Sequence, residues 1–118
     1  MSQVEAVIDK KFKEDRVEWR LRASVDREGG FAERVLIEKI SERHGKYYIS
    51  MISVSHIEIE NTLYFKITIN EVTVLIPDLF EAPDFWYIDE IEEIETIEDL
   101  KEYVNEIVEF TRRCIEFY

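Results

Sequence analysis

Two histidines, one cysteine and 27 Asp and Glu residues are what this 118-residue chain offers for chemistry, and their spacing decides what they could do. His56, Glu58 and Glu60 alternate, so an extended strand would set them on one face at steps of ~7 Å, within reach of a shared divalent cation. A zinc site wants three or four ligands in a recognisable spacing, and the chain has neither HExxH nor CxxC. A solvated strand face is therefore the expectation. Pro77-Asp78 followed by Asp99-Leu100-Lys101 has the form PD…(D/E)xK, in which metal-dependent nucleases set acids and a lysine around Mg²⁺ and the attacking water. Here the second half falls in the first turn of an expected helix, with Leu100 turned to the core, and in so acidic a chain such matches arise by chance. Cys114 lies on an apolar helix face, where an inert buried thiol is expected despite Arg112 and Arg113 nearby. His44 fits the dipole at the end of an expected helix. Gly29, Gly30 and Gly45 form no phosphate loop, and no serine has the flanking glycines of a nucleophile elbow. No catalytic residue, metal ligand or cofactor is assigned, and a non-enzymatic protein is the expectation.

Charge distribution carries more. The formal net charge is −12, which argues against direct binding to nucleic-acid phosphates. Residues 1–46 hold 11 bases and 10 acids, whereas residues 47–118 hold 4 bases and 17 acids. Between Glu71 and Glu109 there are 14 acids against Lys101 alone. The excess thus forms one acidic ridge, in which Glu90, Glu92, Glu93, Glu95, Glu98 and Glu102 are the foremost residues. Beside it runs the proline-bracketed segment 79–88, whose Phe85, Trp86 and Tyr87 have the character of interface anchors or of a plug over one end of a sheet. The expectation is a small acidic adaptor or inhibitor meeting a basic protein surface, such as that of a nucleic-acid-binding protein, through Phe85, Trp86, Tyr87 and those six glutamates. A homodimer is compatible with it. The alternative is a sensor domain holding a small molecule between sheet and helix near Trp19, Tyr47 and Phe65, with a metal-dependent nuclease ranking below both.

A lone cysteine suits a reducing compartment, no apolar run reaches the ~20 residues a membrane helix needs, and the N-terminus lacks a signal-peptide core; a cytoplasmic protein is expected. One Gln and three Asn against 36% charged residues is a thermophile's bias.

The elements that must position these residues follow from periodicity. Residues 4–12 and 17–25 alternate apolar and charged, giving a hairpin. With a turn at Glu14-Asp15 it pairs Phe12 with Val17, Ile8 with Leu21 and Val4 with Val25, and sets Asp9 against Arg20 and Lys11 against Glu18. Ala32, Val35, Leu36 and Ile40 share a helical stripe over 31–44, with Gly45 as its cap. Period two returns from Tyr47. A loop at Glu60-Asn61-Thr62 pairs Ile59 with Leu63 and Ile57 with Phe65, leaving His56 on the outer face. A turn at Asn70-Glu71 pairs Ile69 with Val72 and Phe65 with Ile76. Thr96 and Asp99 form a capping box ahead of an amphipathic helix whose apolar half is Ile97, Leu100, Val104, Ile107, Val108, Thr111, Cys114, Ile115 and Tyr118. The expected fold is one α+β domain over residues 1–118: a mostly antiparallel five-stranded sheet in ββαβββ(loop)α order, with the long C-terminal helix packed on it.

Overall fold

The structure, a computed structural model, describes residues 5–26, 30–78 and 82–117. It is α+β, an antiparallel sheet with a long C-terminal helix, as the periodicity requires, but the sheet has six strands and no internal helix. β1 (Glu5–Glu14), β2 (Val17–Asp26), β3 (Phe31–Arg43), β4 (Lys46–Ile59), β5 (Thr62–Ile69) and β6 (Val72–Pro77) lie side by side in chain order. After β6 come a single 3₁₀ turn (Asp84–Trp86), a short helix α1 (Ile88–Glu92) and the helix α2 (Ile97–Phe117). One face of the sheet, with Leu21, Val35, Ile37, Val54 and Ile67 almost fully buried, closes on Ile91, Leu100 and Ile107 of the helical layer.

The expected helix over 31–44 is β3, and a bulge explains its disguise. Val25 pairs with Ala32 but Ser24 pairs with Arg34, so Glu33 is an extra residue. Ala32 and Val35 therefore both face the core although they stand three apart, a helical spacing written by a strand. Beyond the bulge Val35 and Ile37 point inward, while Leu36 and Ile40 lie on the opposite face, and apolar residues on both faces erase the alternation. Gly45 ends no helix. With His44 it forms a two-residue turn, both residues at positive φ (52° and 76°), the geometry whose twist matches antiparallel strands. His44 is thus a turn residue and the helix-dipole account of it falls.

The first hairpin turns at Asp15-Arg16, one position later than expected, with Asp15 at φ 51°. Its register moves by two residues, to Ile8 opposite Ala23 and Phe12 opposite Trp19. Because side chains repeat every two residues, each strand keeps its buried face. The Arg20–Asp9 ion pair survives as a diagonal contact at 2.7 Å, while Lys11 now faces Arg20 and Lys13 faces Glu18. The pairing of Val4 with Val25 lies outside the described residues.

Between β4 and β5 the shift is a single residue. Glu60-Asn61 is a two-residue turn, at φ 50° and 68°, and Ile59 pairs with Thr62 instead of Leu63. An odd shift exchanges faces: Ile57 moves outward and His56 moves onto the helix side, opposite Phe65. The β5–β6 hairpin follows the sequence reading at both stated pairs, Ile69 with Val72 and Phe65 with Ile76.

Candidate functional site

The helical layer starts where Pro77 and Pro83 stop the strands. Pro83, at φ −65° and ψ 152°, leads into the 3₁₀ turn. Tyr87 then bridges Phe31, and the Ile88 amide donates to the Gly30 carbonyl at 3.0 Å, tying the segment to the start of β3. Lys10, a charged residue in the apolar register of β1, reaches across to donate to the carbonyls of Glu92 and Ile94, at 2.7 Å each. The Glu92 carbonyl ends α1, where a cation is favoured, and the Ile94 carbonyl lies two residues beyond it. α2 opens on the expected capping box: the Asp99 amide donates to Thr96 Oγ1 at 3.1 Å, and the Thr96 amide donates to the Asp99 carboxylate at 3.3 Å. Leu100, Ile107 and Thr111 are buried as the stripe predicts, and so is Tyr103, which the stripe omits; its hydroxyl donates to the Phe85 carbonyl at 3.0 Å. Burial, and then Glu106, push that phenol well above its usual range.

The aromatic segment is mostly a plug. Phe85 and Trp86 are buried and cannot meet a partner in this conformation, which corrects their role as anchors; only Tyr87, half-buried against Phe31 at 4.8 Å, reaches the surface. Phe85 stacks edge-on with Tyr103 and Phe110, and Trp86 with Phe65. Leu79, Phe80 and Glu81 lie outside the described residues.

The acids do stand together. Glu90, Glu92, Glu93, Glu95, Glu98 and Glu102 are all exposed. A groove of about 430 Å³ between the 83–90 segment and α2 is lined by Asp84, Glu90, Glu102, Glu106 and Glu109, with Phe85 and Phe110 at its floor and Arg113 at one end. A smaller hollow of about 260 Å³ continues it past Glu90, Glu93, Asp99, Glu102 and Glu106. Glu106 keeps contact with solvent, yet its carboxyl is pushed above the usual carboxylate range, first by partial burial and then by the charges of Glu102, Glu90 and Asp84. Like charges held this close favour any cation that enters. Glu109 is held in the opposite direction by its hydrogen bond to Arg112. Glu92, Glu95 and Glu98 stand outside both hollows, on the surrounding surface.

The remaining candidates disperse. Asp78, Asp99 and Lys101, the pieces of the nuclease-like pattern, are each engaged elsewhere: Asp78 with His56, Asp99 in the helix cap, and Lys101 with Glu14 at 3.0 Å. Among the described residues no group of three or more His, Cys, Asp or Glu side chains is arranged to hold a metal. Burial raises the Cys114 thiol, with Arg113 opposing, so it is not an activated thiolate. Trp19, Tyr47 and Phe65 lie apart: Phe65 is buried opposite His56, Trp19 lies under Lys39 at 5.0 Å, and Tyr47 is exposed at the far end of β4.

A cavity that sequence reasoning missed lies around His56. Its ring stacks on Phe65 at 4.6 Å, and Nε2 stands 2.8 Å from Asp78 Oδ2. An ionised carboxylate only accepts, so Nε2 is the donor. With Phe31, Ala32, Glu33, Ala82 and Trp86 the pair lines about 300 Å³, and the buried Trp86 indole N–H has no acceptor among the described residues. The one-residue register shift hid this site.

No helix of the described residues is long and apolar enough to cross a membrane. Compared with protein-family models, with curated proteins and with solved structures, the chain returns no match.

Proposed function

We propose that the protein is a non-enzymatic interaction module whose acidic groove, between the 83–90 segment and α2, receives a Lys/Arg-rich segment of a partner protein. The observation that carries this reading is the crowding of Asp84, Glu90, Glu102, Glu106 and Glu109 around one groove, with the Glu106 carboxyl raised first by partial burial and then by the charges of Glu102, Glu90 and Asp84. A guanidinium or ammonium entering there relieves that repulsion, and the half-buried Phe110 on its floor accommodates the aliphatic stem of a long basic side chain. Glu92, Glu95 and Glu98 extend the negative field and act mainly on the rate of encounter.

The test is titration of a labelled Lys/Arg-rich peptide at increasing salt. Affinity should fall steeply as salt rises. Reversal of Glu102 and Glu106 to lysine should cost roughly tenfold or more, in the range of a lost charge pair. Reversal of Glu92, Glu93 and Glu95 should chiefly slow association. Binding that ignores both salt and the Glu102/Glu106 reversal would sink the reading.

A second reading rests on the His56 cavity: a small planar ligand seated by Asp78, His56 and the Trp86 indole, which has no acceptor among the described residues. A saturable change in Trp86 emission in a Trp19→Phe variant, on addition of nitrogen heterocycles, would favour it over the first.

A further inference from the structure

β4 runs past the end of its neighbour. Its pairing with β5 begins at Ile52 opposite Ile69, and Lys46–Ser50 have no partner on that side among the described residues, whereas on the other side every residue from Lys46 to Ser55 pairs with β3. Asn70 seals the junction: its side-chain carbonyl accepts from the Met51 amide at 3.2 Å, and its own amide donates to the Met51 carbonyl at 2.7 Å. Both polar groups of Met51 thus point to the β5 side. Backbone direction alternates along an antiparallel strand, so the N–H and C=O of Ile49 and Tyr47 point to the same open edge. The turn at His44-Gly45 agrees, since it closes on Arg43 paired with Lys46 and so sets the even-numbered residues towards β3. The open stretch carries the largest exposed apolar side chains of the strand, with Tyr47 at 71%, Tyr48 at 53% and Ile49 at 62%. Lys46 is its single charge, and it has no proline or bulge of the kind that usually guards an edge.

We propose that this edge pairs with the same edge of a second copy, antiparallel about a two-fold axis at Tyr48. The occupant follows from the register. The residues with free backbone groups are Tyr47 and Ile49, and one antiparallel alignment uses all of them: Tyr47 opposite the second copy's Ile49 and the reverse, each pair exchanging both hydrogen bonds. Centring on Ile49 instead would place Tyr47 against Met51, whose groups Asn70 already holds. In the favoured alignment Tyr47 packs on isoleucine across the strands, Lys46 faces Ser50, and no like charges meet. The two Tyr48 rings form the closer, non-hydrogen-bonded pair on the axis. A two-fold contact of this kind consumes both open edges at once and stops at two. Charge favours the same place: Lys39, Arg43 and Lys46 outnumber Glu42 on this arm, while the acids that would repel a copy crowd the helical side. A contact this short lies below the size of stable interfaces, so the dimer should form in the micromolar range and dissociate on dilution.

Sedimentation velocity from low micromolar to millimolar concentration tests it. The native chain should pass from monomer to dimer, and Ile49→Pro should remain monomeric with an unchanged circular-dichroism spectrum. That proline removes only an edge-facing N–H and leaves the bonds to β3 in place. Tyr48→Cys in a Cys114→Ser background should cross-link to a covalent dimer under mild oxidation, and Ser53→Cys should not. A native chain monomeric at millimolar concentration, a dimer that survives in folded Ile49→Pro, or assembly beyond two copies overturns the proposal. Should Ile49→Pro not fold, amide exchange at Tyr47 and Ile49 of the native chain decides: slower exchange at high concentration supports the pairing, and concentration-independent exchange refutes it. None of these measurements involves the acidic groove, so the two proposals stand or fall separately.

Discussion

Under α2 the sheet presents Leu21, Val35, Ile37, Val54 and Ile67, all closed off from water; on its opposite face it presents Arg20 against Asp9, Arg22 against Glu38 and Thr68 against Thr73, with Leu36, Ile40 and Ile57 half-buried among them. The first face is held by burial. The second is held by cross-strand pairs, each contributing little on its own. Apolar content alone does not separate them, because β3 and β4 carry isoleucine on both sides. What separates them is the helical layer, fixed on one side by the Lys10 bonds to the carbonyls of Glu92 and Ile94, by the capping box and by the Ile88–Gly30 bond.

Truncation sharpens this contrast most strongly. Leu100→Ala or Ile107→Ala should lower unfolding free energy by ~2–5 kcal/mol, as buried large-to-small changes do, while Leu36→Ala on the bare face should cost under ~1 kcal/mol. Urea titrations compare them directly, and equal losses would mean that the bare face is covered after all. Next comes the cap: Thr96→Ala removes the acceptor for the Asp99 amide and should cost ~1 kcal/mol. Smallest is the electrostatic effect at Glu106. Its folded pKa is raised, so ionisation opposes folding above that value, and the penalty disappears as pH falls below the carboxylate range of the unfolded chain. Glu106→Gln should therefore raise the melting temperature slightly at neutral pH and leave it unchanged in acid. Asp9 behaves in the opposite sense. Its pKa is lowered, first by the hydrogen bond from Arg20, so what it contributes is lost as pH falls through that lowered value.

How much of this was legible in the sequence depends on parity. The α2 cap was written in residue types and stands as read; the stripe holds at Leu100, Ile107 and Thr111 but misses the buried Tyr103 and takes in Val108 and Ile115, which are exposed. In the first hairpin an even slip of register left the faces intact, so the pattern named the right residues for the core while naming the wrong neighbours. The odd slip at Glu60-Asn61 sent His56 to the wrong face and concealed its meeting with Asp78. No rule of periodicity could have recovered β3, because the extra residue at Glu33 rewrote its spacing as three. The acidic ridge was visible from composition, but its groove was not, since Asp84 and Glu106 meet only after the 3₁₀ turn folds back on α2. The aromatic run showed that something was packed there; only burial showed that Phe85 and Trp86 face inward.

That the helical layer follows all six strands in the chain has a consequence for the order of assembly. All six strands leave the ribosome before α2 does, and their hairpins join neighbours in sequence, the fastest kind of contact to close. The sheet can thus be complete while Leu21, Val35 and Ile67 still face water. At ~5–20 residues per second, a 21-residue helix takes ~1–4 s to synthesise, and in that interval the nascent chain is at its stickiest.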